Sequence, residues 1–402
     1  MPTRDPRRPV LTTAYDGHRV TSLELFFDLV FVFAITQVTG YLASNLTPTG
    51  MLEGLLMLAL TWWAWVGYAW LGTTIRFDEG LVRILLFAAM GVLLVIAIGI
   101  PEAFRDLPGG LRAPTALAVG YAAVRLLHLG LFAIAGRDNP TMKAAVGRFS
   151  LGVVTAMTLL VIGSLFDGPV QIACYAAAVA LDVAGAYVGG GAGWALNPGH
   201  FAERHGLIVI IALGESIVAI GAGASDLPLS WPIAITALLG FTVAACLWWV
   251  YFDITTLAAE RRLANLTGSE RNRAARDGYS LLHLPMVAGI VLLALGVKKT
   301  MSLVGEEPIE IWGRIEPLAA VSLAGGVALY LFAHVAFRWR LDHSWSKPRL
   351  IAGSGCLALA VTAATAPTLA LLSAVVGVVV LLVFYEYRQL NWIAYHLRHG
   401  AH

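Results

Sequence analysis

Glu24 and Asp28 stand four residues apart inside LELFFDLVFVFAITQVTGYLA, a run that is otherwise almost wholly apolar. On a helix that spacing sets both carboxylates on one stripe. Acids held this way can exchange protons or bind a cation, and an ionisable group in a bilayer core costs ~2.5–3.5 kcal/mol on insertion scales, so partners are required. At about 1.5 Å per residue, a helix entering near Ser22 puts the two acids about 3 and 9 Å deep. His205 and His283 fall near the cytoplasmic starts of their helices, and His334 and Asp253 near the cytoplasmic ends of theirs. Together they predict a carboxylate–imidazole cluster in which Asp28 meets His205 or another histidine of the inner leaflet. A second group lies near mid-span: Arg125 with His128 three residues on, Asp182 and Glu215. One arginine and two carboxylates at similar depth predict a buried ion-pair core, with either acid open as the partner of Arg125 and Glu215 as the central acid. Simpler readings stand beside these. Glu24 fits a helix N-terminus, where the dipole favours a carboxylate; Arg125 fits a packing bridge; and the tryptophans of WWAWVGYAW fit an interfacial belt.

The elements that must position these groups follow from composition. Of 402 residues, 58% are hydrophobic and 13% charged, against ~25% charged in soluble domains, and the mean hydropathy is +0.75. This predicts an all-α polytopic integral membrane protein whose partners are the lipid bilayer and a small solute or ion. The net charge of +2 gives no argument for nucleic acid. Spanning helices need ~20 apolar residues. About twelve candidates begin near Ser22, Met51, Leu81, Pro114, Arg148, Pro169, His205, Trp231, Gly278, Glu316, Pro348 and Thr368. The first follows a polar arm without a cleavage site and reads as retained, not as a signal peptide. Cys174, Cys246 and Cys356 offer neither a disulfide framework nor metal-ligand spacing. No phosphate loop, HExxH or GxSxG occurs, and GGGAG at Gly189 lacks βαβ context. The expectation is a protein without cofactor or metal that is not an enzyme.

Lys and Arg set the orientation. With the N-terminus inside, 21 of the 27 fall in the arm, the inside links and the tail. Arg105, Arg112, Lys298, Lys299 and Arg314 fall outside, and Arg125 within a span. Both termini are therefore expected in the cytoplasm. An internal repeat is expected too: LTWWAWVGYAW at Leu60 answers CLWWVYFDITT at Cys246, and GYLASNL at Gly40 answers GAGASDL at Gly221, with Asn45 opposite Asp226. It gives an arm (1–21), a first six-helix unit (22–190), a linker (191–204), a second six-helix unit of the same orientation (205–386) and a cytoplasmic tail (387–402).

ELFFDLVFVFAITQ from Glu24 to Gln37, together with ERHGLIVIIALGESIVAIG from Glu203 to Gly221, resembles the bacterial low temperature requirement A (LtrA) family over most of the chain. The resemblance implies a polytopic bacterial membrane protein tied by name to growth in the cold. It points to Glu24, Asp28, Glu203, Arg204, His205, Gly206 and Glu215. FFDLVFVFAIT at Phe26 also resembles the first helix of FSD-motif potassium channels, although Phe27 stands where that family has serine and the second half lacks the motif. The leading expectation is an inner-membrane secondary transporter coupled to protons or cations. A cation channel is the alternative, and a structural or lipid-handling membrane factor is the third reading.

Overall fold

A computed structural model describes residues 19–225, 227–253, 255–305 and 313–399, with side chains described as far as residue 389. Asp226 of the proposed repeat, the arm up to residue 18 and the tail from residue 400 lie outside the described residues. The described residues are helical: α1 Ser22–Ser44, α2 Pro48–Gly72, α3 Gly80–Gly99, α4 Ala113–Ala135, α5 Pro140–Gly163, α6 Pro169–Val188, α7 Pro198–Gly223, α8 Trp231–Phe252, α9 Thr255–Asn265, α10 Gly268–Ala274, α11 His283–Gly305, α12 Pro317–Asp342, α13 Lys347–Thr362 and α14 Thr368–His399. Proline stands in the first turn of α2, α4 to α8, α12 and α13, where its missing N–H costs nothing and its fixed φ suits a helix start. Asn139 caps α5, its side chain accepting from the Thr141 and Met142 amides.

Among the described residues, eleven helical segments are long and apolar enough to cross a membrane. The expected twelfth, α13, has 16 residues, or ~24 Å, which is short of a ~30 Å hydrocarbon core. The sequence expectation of about twelve spans is corrected to eleven of spanning length and one short helix. Pro348 stands in its first turn and Pro367 lies five residues past its end.

By contact the chain divides into two units. The first holds the described residues up to Ala34, Leu60–Arg204 and Gly268–Asn272. There α5 and α6 pack closely: a Cβ on Gly152 would lie 2.7 Å from the Gly185 Cα, the small-residue approach that lets membrane helices touch backbone to backbone. The second holds Ile35–Ala59, His205–Thr267 and the chain from Arg273 on. There α11 and α12 use the same device, a Cβ on Gly289 meeting the Gly326 carbonyl at 2.5 Å. Between α10 and α11, Ala275–Leu281 is a π-helix in which the Leu282 amide donates to the Asp277 carbonyl at 3.3 Å. Pro285 explains the widened turn: it cannot donate to Leu281, and its ring crowds that carbonyl.

Candidate functional site

In the first unit, Glu24 and Asp28 on α1 face His200 and Arg204 on α7. Each pair is spaced i,i+4, so two helical stripes meet. Arg204 donates to Glu24 Oε1 at 2.9 Å through Nη1 and to Asp28 Oδ1 at 2.7 Å through Nη2. His200 Nε2 lies 3.0 Å from Glu24 Oε1, and the Thr21 amide and hydroxyl donate to Glu24 Oε2 at 2.9 and 3.1 Å. Trp65 on α2 donates its indole N–H to Asp28 Oδ1 at 2.8 Å, and its ring lies 5.6 Å from the Arg204 guanidinium. All four charged or titratable side chains are buried, Asp28 and Arg204 completely. Gly72 leaves room for them, since a Cβ there would come within 2.7 Å of Glu24 Oε1. Two carboxylates thus share one guanidinium, and Asp28 Oδ2 is buried with no hydrogen-bond partner among the described residues.

This corrects one expectation. Asp28 meets Arg204, not His205. The physical reason is the start of α7, which begins at Pro198, seven residues before His205. Arg204, counted among the link cations, is consequently helical and fully buried. Trp62, Trp63 and Trp65 are likewise buried and form no interfacial belt.

In the same unit, Arg125 on α4 donates through Nη2 to Asp182 Oδ1 at 2.6 Å and through Nε to Oδ2 at 3.1 Å. His128 Nδ1 lies 3.4 Å from Arg125 Nη1. Gly67 on α2 admits both, because a Cβ there would stand 2.5 Å from Arg125 Nη1 and 3.1 Å from the His128 ring. The open choice of partner for Arg125 falls to Asp182. Glu215, in the second unit, accepts from the Thr36 hydroxyl at 2.6 Å.

The second unit gathers the other predicted histidines. His205, Tyr279 and His283 have ring centroids 5.2 Å apart in each pairing. His283 Nδ1 lies 3.2 Å from the Gly278 carbonyl of the π-helix. A carbonyl only accepts, so Nδ1 carries the proton, and Nε2 accepts from the Tyr251 hydroxyl at 2.7 Å. His334 Nδ1 accepts from Arg349 Nη1 at 2.7 Å. Arg349 also makes a two-point pair with Glu386 at 2.7 and 2.8 Å and donates to Thr255 at 2.9 Å. Here one guanidinium meets one carboxylate.

Sequence reasoning missed His200, Trp65, Arg349, Glu386, Tyr251 and Tyr279. His200 was visible as the i−4 neighbour of Arg204. Arg349 lies in the first turn of α13, where a charge ordinarily reads as solvated, and Glu386 lies within α14 where its apolar run gives way to polar residues.

Eleven apolar helices with buried ion pairs at their contacts define a multi-pass α-helical membrane protein. Residues 19–384 match the family described as bacterial low temperature requirement A protein (LtrA), and the chain belongs to that family. It is 30% identical over 300 residues to an uncharacterized protein of Rhizobium meliloti (strain 1021), covering 70% of this chain and 69% of that one. No solved structure matches the chain.

Proposed function

We propose that this chain is a secondary transporter of the bacterial inner membrane, and that the Glu24–Asp28–Arg204–His200 centre takes up its coupling proton or cation. One observation carries the reading: two buried carboxylates share a single arginine while Asp28 Oδ2 has no hydrogen-bond partner among the described residues. With both acids ionised and the imidazole neutral, the centre holds one surplus negative charge. Surplus charge is costly in apolar surroundings. One proton or one monovalent cation removes it, and Asp28 Oδ2 is the atom with a lone pair to receive it. Glu215, held by the Thr36 hydroxyl, is the central acid of the second unit in this reading. In this reading both termini face the cytoplasm. Among the described residues six segments of spanning length precede the Gly189–Pro198 segment, and five together with the short α13 follow it, a count that supports the proposed pair of six-helix units.

Flux in proteoliposomes over a panel of ions and small solutes tests this. Asp28→Asn is expected to assemble normally and to lose the pH or cation dependence of the flux, while Glu24→Gln weakens flux less. A well-assembled Asp28→Asn protein with unaltered dependence would sink the reading. A reporter fused within Arg261–Arg276 should read cytoplasmic.

A further inference from the structure

The short helix α9 packs along the end of α12 in the second unit. It buries Thr255, Ala259 and Leu263 and carries Arg262 on its exposed side. Between the two helices lies a small cleft, of about 30 Å³, that opens to the surface. Phe337, Leu341 and Thr255 line its inner part, and Arg262, Arg338 and Asp342 also border it. Arg262 Nε donates to the Leu341 carbonyl at 3.1 Å, which fixes that guanidinium across the end of α12. Arg338, half-buried, donates to the Ser344 hydroxyl at 3.1 Å, and that hydroxyl donates to Asp342 at 2.6 Å. Of the other cations nearby, Arg349 is matched by Glu386, and Arg276 and Arg340 share Asp277. Arg262 and Arg338 have no such carboxylate pair among the described residues. With Asp342 included, the cleft carries one net positive charge.

Its level in the membrane is marked by aromatics. Trp339 and Trp345 are 43% and 61% exposed with rings 5.9 Å apart, and exposed tryptophans of this kind sit at the headgroup boundary. A phosphodiester carries one negative charge, which balances the cleft. It also brings an apolar glycerol ester region to lie on Phe337 and Leu341. Basic pockets between helices at this level are suited to anionic headgroups. We propose that the α9–α12 cleft binds the phosphate of an anionic phospholipid, held by Arg262 and Arg338. This site is separate from the carboxylate centre and does not depend on transport.

The full-length protein in neutral detergent provides the test. Phosphatidylglycerol should raise the unfolding temperature by several degrees more than phosphatidylcholine, and inorganic phosphate alone should leave it unmoved. Arg262→Gln with Arg338→Gln should lose the phosphatidylglycerol increment. Arg273→Gln, at an exposed arginine outside the cleft lining, should keep it. Equal responses to the two lipids, an increment that survives in the double variant, or an equal loss in Arg273→Gln would each overturn the proposal. A matching response to inorganic phosphate would assign the cleft to a free anion and overturn the lipid. If the double variant does not fold, Arg262→Gln alone is used, and native mass spectrometry of the wild type must show phosphatidylglycerol retained in preference to phosphatidylcholine. Absence of that preference also overturns it.

Discussion

The first and second units each set an aromatic donor against a buried polar group, and they differ in charge. In the first, Trp65 follows the Trp62–Trp63 pair and donates to a carboxylate. In the second, Tyr251 follows the Trp248–Trp249 pair and donates to a neutral imidazole. An indole can only donate, so it selects an acceptor such as Asp28, whereas a phenol suits the tautomer that the Gly278 carbonyl imposes on His283. Around Arg204 two acids share one cation; around Arg349 the ratio is one to one. The difference teaches that burial alone does not mark a site where charge is exchanged. The unbalanced stoichiometry does.

The sharpest way to break this comparison is to remove each arginine. Arg204→Met leaves two buried carboxylates and should cost more than the ~3–5 kcal/mol typical of losing one partner of a buried pair. Adding Asp28→Asn should restore only part of it, because Glu24 remains. Arg349→Met should fall within ~3–5 kcal/mol and be restored fully by Glu386→Gln. Thermal unfolding of the four proteins in detergent decides it, and full rescue in both units would erase the distinction.

Arg125→Ala should cost a similar ~3–5 kcal/mol, lessened where water reaches the gap. Rescue by Asp182→Asn and not by Glu215→Gln would assign Arg125 to the balanced class. Gly67→Ala presses a methyl on Arg125 Nη1 and His128 and should cost ~1–3 kcal/mol as overpacking; an unshifted unfolding temperature would mean that α2 yields. Smallest is Tyr251→Phe, which loses one neutral hydrogen bond and should cost ~0.5–1.5 kcal/mol. Trp65→Phe should cost more, because its acceptor is charged. The reverse order in unfolding midpoints would contradict the charge assignment.

Much of the fold was legible because lipid demands long apolar runs. Ser22, Pro169, Trp231 and Thr368 begin helices where the sequence placed them. The acids on α1 and the Arg125 group stood out for the same reason: each interrupts such a run. The start of α7 was not legible, because NPGHFAER is polar enough to pass for a linker. Counting Arg204 as a link cation assumed that arginine stays outside the membrane unless surrounded by apolar residues. Two carboxylates on another helix satisfied it instead, and that information is tertiary. The double tryptophan misled similarly, since an indole suits either an interface or a buried acceptor. Pro285 was a readable cause of the π-helix and was passed over.

Helix α13 has a consequence for the lipid around the protein. Ile351, Leu357 and Val361 are exposed along it, yet its 16 residues reach only ~24 Å. A helix shorter than the hydrocarbon thickness is accommodated by local thinning, by flanking side chains that extend toward the headgroups, or by association. Lys347, at the first position of α13, is placed to extend in this way. This flank of the molecule therefore ties the fit of the protein to the thickness of its membrane.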